Sequence, residues 1–124
     1  MRTESARGAV EAVVAEYLEG MIHGQRDRLE RAMHPQCMQA GRFGGSDEFF
    51  DRETFIRSIE GETASPPGTP YLSEGLSTDM TGDVAVVKVE DECFCTTFTD
   101  HLTLTKYEHR WQIVMKAFLD HANA

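Results

Sequence analysis

The C-terminal third of the chain, FTDHLTLTKYEHRWQIVMK from Phe98 to Lys116, limits the available folds more than any other stretch. Two runs of β-favouring residues, Phe98–Tyr107 and Trp111–Leu119, flank a short polar break, Glu108-His109-Arg110, which is the pattern of a hairpin. Residues two apart on a strand share a face, so Phe98, Asp100, Leu102 and Leu104 point the same way. All but Asp100 are apolar, and the face they form is expected to be buried. Asp100 then sits where a carboxylate is costly unless something pairs with it or protonates it.

The strand pattern extends upstream of this hairpin. Asp83–Phe94 alternates, with Ala85, Val87, Val89, Asp91 and Cys93 on one face and Val84, Val86, Lys88, Glu90 and Glu92 on the other. Met80-Thr81-Gly82 reads as the preceding turn and Tyr71–Asp79 as a weakly alternating strand before it. The acidic stretch Glu90-Asp91-Glu92 invites a metal reading, but consecutive strand residues face opposite ways, so only Glu90 and Glu92 converge. A solvated strand end is the expectation there.

The N-terminal half is helical in its periodicity. Val10, Val13, Val14, Tyr17, Leu18 and Met21 form one apolar stripe within residues 6–22, with Glu11, Glu16 and Glu19 on other faces. Tyr17 lies mid-stripe, so its ring is core and its hydroxyl needs a partner. Gly24 breaks this helix, and Gln25–Met33 reads as a short second helix stopped by Pro35, leaving His34 at a helix C-terminus. Cys37–Phe43 fits a strand bounded by glycines. Asp51 is a good N-cap for a third helix to about Glu60, with Phe55, Ile56 and Ile59 inward and Gly61 as its stop. ETASPPGTP, Glu62–Pro70, is a loop too short and embedded to be a linker. The 124 residues form one domain, 1–124, with helices grouped first and strands after, which is α+β: helices packed on one face of a strongly curved antiparallel sheet.

The charge balance narrows the partners. A net charge of −9, from 21 acidic against 12 basic side chains, repels phosphate backbones and anionic bilayers, so neither nucleic acid nor membrane is an expected partner. The N-terminal sequence lacks the apolar core of a signal peptide and no run approaches membrane-spanning length, so a cytoplasmic location is expected. Cys37, Cys93 and Cys95 are read as reduced thiols, the last two as small core residues on one strand face. No pair among His23, His34, His101, His109 and His121 has helical i, i+4 or strand i, i+2 spacing, so no metal site is expected.

The Tyr17 helix, the Gly24 break, His34-Pro35, the turn before Asp83-Val84-Ala85 and the closing hairpin together resemble the NTF2-like superfamily over about residues 8–119. Within it the SnoaL-like or "putative lumazine-binding" group is the nearest in pattern. One departure is visible: this family's last hairpin usually carries Gly where His109 stands. The resemblance implies a cone of helices and curved sheet, commonly a homodimer through the outer sheet face. It leaves chemistry open, because the superfamily hosts both enzymes and binding modules.

Two functions follow. As a binding module, the cone takes a small, partly aromatic or apolar metabolite, with Phe43, Phe98, Trp111, Met115, Lys116 and Arg42 as ligand contacts. As an enzyme resembling ketosteroid isomerases and polyketide cyclases, it performs acid–base chemistry without a cofactor. Asp100 is then the acid or base, with Tyr17 a second donor and His34 or His101 a proton shuttle. Laid on the isomerases, the position of their base carboxylate falls near Gly41, in Ala40-Gly41-Arg42, where this chain holds no acid. A purely structural Asp100 would pair with Lys116 or Arg42.

Overall fold

The computed structural model describes residues 2–62, 65–66, 72–94 and 96–123, with side chains between residues 6 and 122. Cys95, Tyr71 and most of the loop at Glu62–Pro70 lie outside the described residues. Helices α1 (Arg2–Ile22) and α2 (Arg26–Ala32) come first, then strands β1 (Met33–Phe43) and β2 (Ser46–Asp51) and helix α3 (Arg52–Glu60). Strands β3 (Ser73–Thr81), β4 (Val84–Cys93), β5 (Thr96–Tyr107) and β6 (Arg110–Asp120) follow.

Of the α1 stripe, Val10, Val14, Tyr17, Leu18 and Met21 enter the core and Val13 packs half-buried against it, while Ile22 beyond the stripe is also buried. Gly24 turns the chain in the left-handed region, φ +65°, which a glycine adopts without steric cost. Arg26 then locks α2 onto α3. Its guanidinium donates to both Glu53 oxygens at 2.8 and 2.9 Å and to both Glu60 oxygens at 2.7 and 3.0 Å. Asp51 caps α3 by accepting from the Thr54 amide at 2.8 Å, and Gly61 ends it.

All six strands form one curved, unclosed sheet in the order β2-β1-β6-β5-β4-β3. This corrects an all-antiparallel reading: β1 runs parallel to β6, and every other pair is antiparallel, so the sheet is mixed. Parallel neighbours need a long crossover, supplied here by everything between β1 and β6. β2 is an additional strand, joined to β1 through Gly44 and Gly45 at φ +60° and +83°. The β5–β6 turn is the two residues Glu108 and His109, at φ +52° and +66°. Both are left-handed, as a type I′ hairpin requires, which is why glycine suits the His109 position.

Helices cover the inner face of the sheet, and the core lies between them. Along β4 the burial alternates strictly, with Ala85, Val87, Val89 and Asp91 inside. Along β6 the alternation slips once. Thr103 pairs with Met115 but Leu104 with Ile113, leaving Val114 as an extra residue, a β-bulge. Trp111 and Ile113 are therefore buried before the bulge, and Lys116 and Asp120 after it.

Gly41, paired with Phe118 across β1 and β6, has that ring lying over it, and a Cβ there would run into the ring. Gly41→Ala should cost about 1–3 kcal/mol by overpacking, read as a drop in Tm. In a double-mutant cycle with Phe118→Leu the two costs should fall well short of adding, since the clash is with this ring.

Candidate functional site

Three strands and one helix bring titratable groups together inside the fold. Tyr17, fully buried on α1, donates from its hydroxyl to Asp100 Oδ2 at 2.9 Å, linking helix to sheet. Its oxygen also lies 3.4 Å from Met21 Sδ. Asp100, on β5, is 1% exposed. Beside it on β4 stands Asp91, likewise 1% exposed, whose Oδ1 accepts from the Cys93 thiol at 3.4 Å. Asp91 Oδ2 has no hydrogen-bond partner among the described residues.

Two carboxyl groups in one dry place cannot both ionise cheaply. Burial, and then the charge of Asp100, push the Asp91 carboxyl up to about 8. One proton shared by the pair near neutral pH is the consequence, and it belongs to the pair rather than to either residue. The Tyr17 hydroxyl is held well above its ordinary range by burial and then by Asp100, so it stays a donor. Burial also raises the Cys93 thiol, and the Asp91 charge raises it further.

The bulge at Val114 turns Lys116 inward. Its amine sits 4.4 Å from the Phe55 ring centre, 5.0 Å from that of Phe118 and 5.2 Å from that of Tyr17, with Met21 Sδ at 4.0 Å. Aromatic faces attract a cation at this range. No carboxylate among the described residues lies within 4 Å of it.

Asp100 and Lys116 face one cavity of about 50 Å³. Phe43, Phe55, Phe94, Phe98 and Phe118 supply its apolar wall, and Gln39, Glu48, Ser58 and Glu62 its polar part. The rings pack edge and tilt against each other: Phe43–Phe98 at 5.6 Å, Phe98–Phe118 at 5.8 Å and Phe43–Phe94 at 6.4 Å between centres. Phe94 holds its ring there from a left-handed backbone, φ +51°, an outlier for a bulky residue. Gln39 donates to Glu48 at 2.9 Å, and burial raises the Glu48 carboxyl.

The residues singled out from sequence divide into two groups. Tyr17, Asp100, Lys116, Phe43 and Phe98 come together at or against this cavity. His34, Trp111, Met115 and Arg42 do not line it. Pro35 forces its predecessor into extended backbone, so α2 ends at Ala32. His34 therefore belongs to β1 rather than to a helix end, with Nδ1 accepting from the Gln36 amide at 3.0 Å. Trp111 lies before the bulge, in the core near α1 and α2. Met115 is 59% exposed on the outer face, because the bulge exchanges its side with Lys116. Arg42, also outward, pairs with Asp47 at 3.2 Å and donates to the Gly45 carbonyl. Asp100 pairs with neither Lys116 nor Arg42 within 4 Å; its partner is Tyr17.

Asp91 is the residue that sequence reasoning missed. Its signal was present, since it shares a face with Ala85, Val87 and Val89, but its acidic neighbours made the stretch look solvated. In fact β4 keeps its alternation to the end, so Asp91 enters the core while Glu92 stays exposed. The Gly41 position, where the isomerase comparison seeks a base, is covered by the Phe118 ring.

Helices packed on a curved mixed sheet around a small aromatic cavity with buried carboxyl groups define an NTF2-like protein. The chain belongs to the family described as "Putative lumazine-binding", whose model matches residues 5–119. An NTF-2 like protein of unknown function from Silicibacter pomeroyi DSS-3 superposes with a TM-score of 0.90 at 29% identity, over 97% of this chain and 99% of that one. Another from Shewanella baltica OS155 gives 0.82 at 19% identity, over 94% of each chain. Among curated proteins, the aldolase FrzH of a Cladobotryum species is 31% identical over 118 residues, 94% of this chain and 92% of that protein.

The raised Asp91 carboxyl makes stability pH-dependent. Unfolding exposes the group to water, where it loses its proton near pH 4, whereas the folded protein holds that proton up to about 8. The contribution is complete below about pH 4 and lost as pH rises through about 8, at a slope of at most about 1.4 kcal/mol per pH unit. Asp91→Asn, which mimics the protonated form, should flatten that decline in urea melts taken from pH 5 to 8.5. A variant with the wild-type slope would remove Asp91 as its source.

Proposed function

We propose that the chain is an acid–base catalyst for a small carbonyl compound, removing a proton from the carbon beside the carbonyl, the step shared by enolisation and aldol-type chemistry. The observation that carries this is Asp100, one member of the buried Asp91–Asp100 pair, lining one largely apolar cavity together with Lys116. The shared proton leaves one carboxylate charge on the pair, and Asp100 is the member at the cavity wall, its orientation set by the Tyr17 hydroxyl. Lys116 puts positive charge on the same wall, where the developing enolate oxygen gains most from it. The phenylalanine lining keeps water out and suits a short, largely apolar substrate. The aldolase name carried by the Cladobotryum relative supports a carbonyl substrate.

A second reading, uptake of a small aromatic or apolar metabolite without turnover, is favoured by the five phenylalanines of the lining and by the family description. We further propose that two copies pair through the outer sheet face in the cytoplasm. Met38, Phe49, Met115 and Leu119 are exposed there, at 46, 76, 59 and 45%.

Wild-type protein in D₂O should catalyse deuterium uptake at the α-carbon of acetaldehyde or acetone, followed by NMR. Asp100→Asn should lower the rate by roughly 10²–10⁴ and Tyr17→Phe by less, since general-base catalysis contributes on that order. Exchange no faster than buffer, alongside saturable binding of an aromatic probe, would favour the binding module. For assembly, Met115→Lys should convert a dimer into a monomer by light scattering after size exclusion.

A further inference from the structure

The geometry points to Lys116 as a carbonyl-capturing amine, which condenses with a short aldehyde or ketone in the cavity to form an imine. This rests on the acid–base reading of the cavity and adds a covalent role for one residue.

The placement of Lys116 is the first observation. Strict alternation from Trp111 and Ile113 would bury Met115 and expose Lys116, and the bulge at Val114 reverses that outcome. The fold thus buries a lysine where the regular strand would have buried a methionine. Bulges re-aim side chains in this way beside active sites. The other lysines, Lys88 and Lys106, are exposed on outer positions.

The surroundings of the amine are the second observation. A lysine kept only to offset buried acid would sit on a carboxylate, and Lys116 has none within 4 Å among the described residues. Three ring faces and the Met21 sulfur surround it instead. Rings and a thioether, unlike a carboxylate in a salt bridge, leave the amine able to reach a carbonyl carbon in the cavity. The group that takes its proton faces the same cavity, because Asp100 lines it. A cavity of about 50 Å³ admits a carbonyl compound of only a few heavy atoms.

The step balances within these groups. Asp100 takes a proton from the Lys116 ammonium, and the free amine attacks the carbonyl carbon. As the C–N bond forms, the carbonyl π pair moves to oxygen, which is protonated to a carbinolamine. Nitrogen loses its extra proton to the carboxyl pair, and a proton passed from that pair to the hydroxyl expels water, leaving a protonated C=N and the carboxylate restored. No oxidant or reductant is involved. The protonated imine then acidifies the α-carbon more than the charge of Lys116 alone would.

The test is reductive trapping. Wild-type protein is incubated with acetaldehyde or acetone and cyanoborohydride, and alkylation is located by peptide mass spectrometry. Lys116 should be labelled at least about tenfold faster than Lys88 and Lys106. Lys116→Arg, which keeps the charge but forms no imine, should lose both this label and most α-carbon deuterium exchange. Labelling of Lys116 no faster than of the exposed lysines overturns the inference, and wild-type protein alone decides that. Exchange persisting in wild type without trapping removes the imine and leaves the acid–base reading standing. Trapping without exchange keeps the imine and removes that reading.

Discussion

A strand has two faces, and in this sheet one of them must be dry. That constraint places everything else. The inner face closes a core against α1, α2 and α3, so any polar side chain on it must find a partner inside the protein or change its protonation. Asp100 finds the Tyr17 hydroxyl at 2.9 Å, a bond joining the centre of α1 to β5 across the core. The bond depends on the helix stripe and the strand alternation both being in register. The aromatic cavity in turn depends on it, because Asp100 forms part of its wall.

Asp91 has no such partner for its second oxygen, and its proton is the compensation. The result is a charge economy with few members: one shared proton on two carboxyls, one tyrosine held neutral, and one amine among rings. Each is expensive alone. Asp100 and Lys116 bring these charges to the wall of one largely apolar cavity, where electrostatic effects are larger than in water. The same dryness that strains the ionised forms is what shifts their protonation.

Much of this arrangement was legible in the chain. The Tyr17 stripe, the Asp51 cap, the Gly61 stop and the face shared by Phe98, Asp100, Leu102 and Leu104 are local periodicities, and they held in the folded protein. The failures were of another kind. β2 is short and follows two glycines, so its pattern carried little signal. Trp111 and Met115 were both expected at the ligand. Regular alternation would put them on one face, and a single extra residue at Val114 separates them. His34 was read from a helix that Pro35 had already ended.

By itself, then, the sequence determined which residues alternate, where helices begin and stop, and that a carboxylate at position 100 would lie on a dry face. These follow from backbone periods of 2 and 3.6 acting over a few residues. Only the tertiary structure decided which strands become neighbours, and so that Asp91 stands beside Asp100 and that β1 runs parallel to β6. It alone also decided that Lys116 rather than Met115 turns inward. Pairing and bulge position are set by how distant segments pack and hydrogen-bond, and no local period records that.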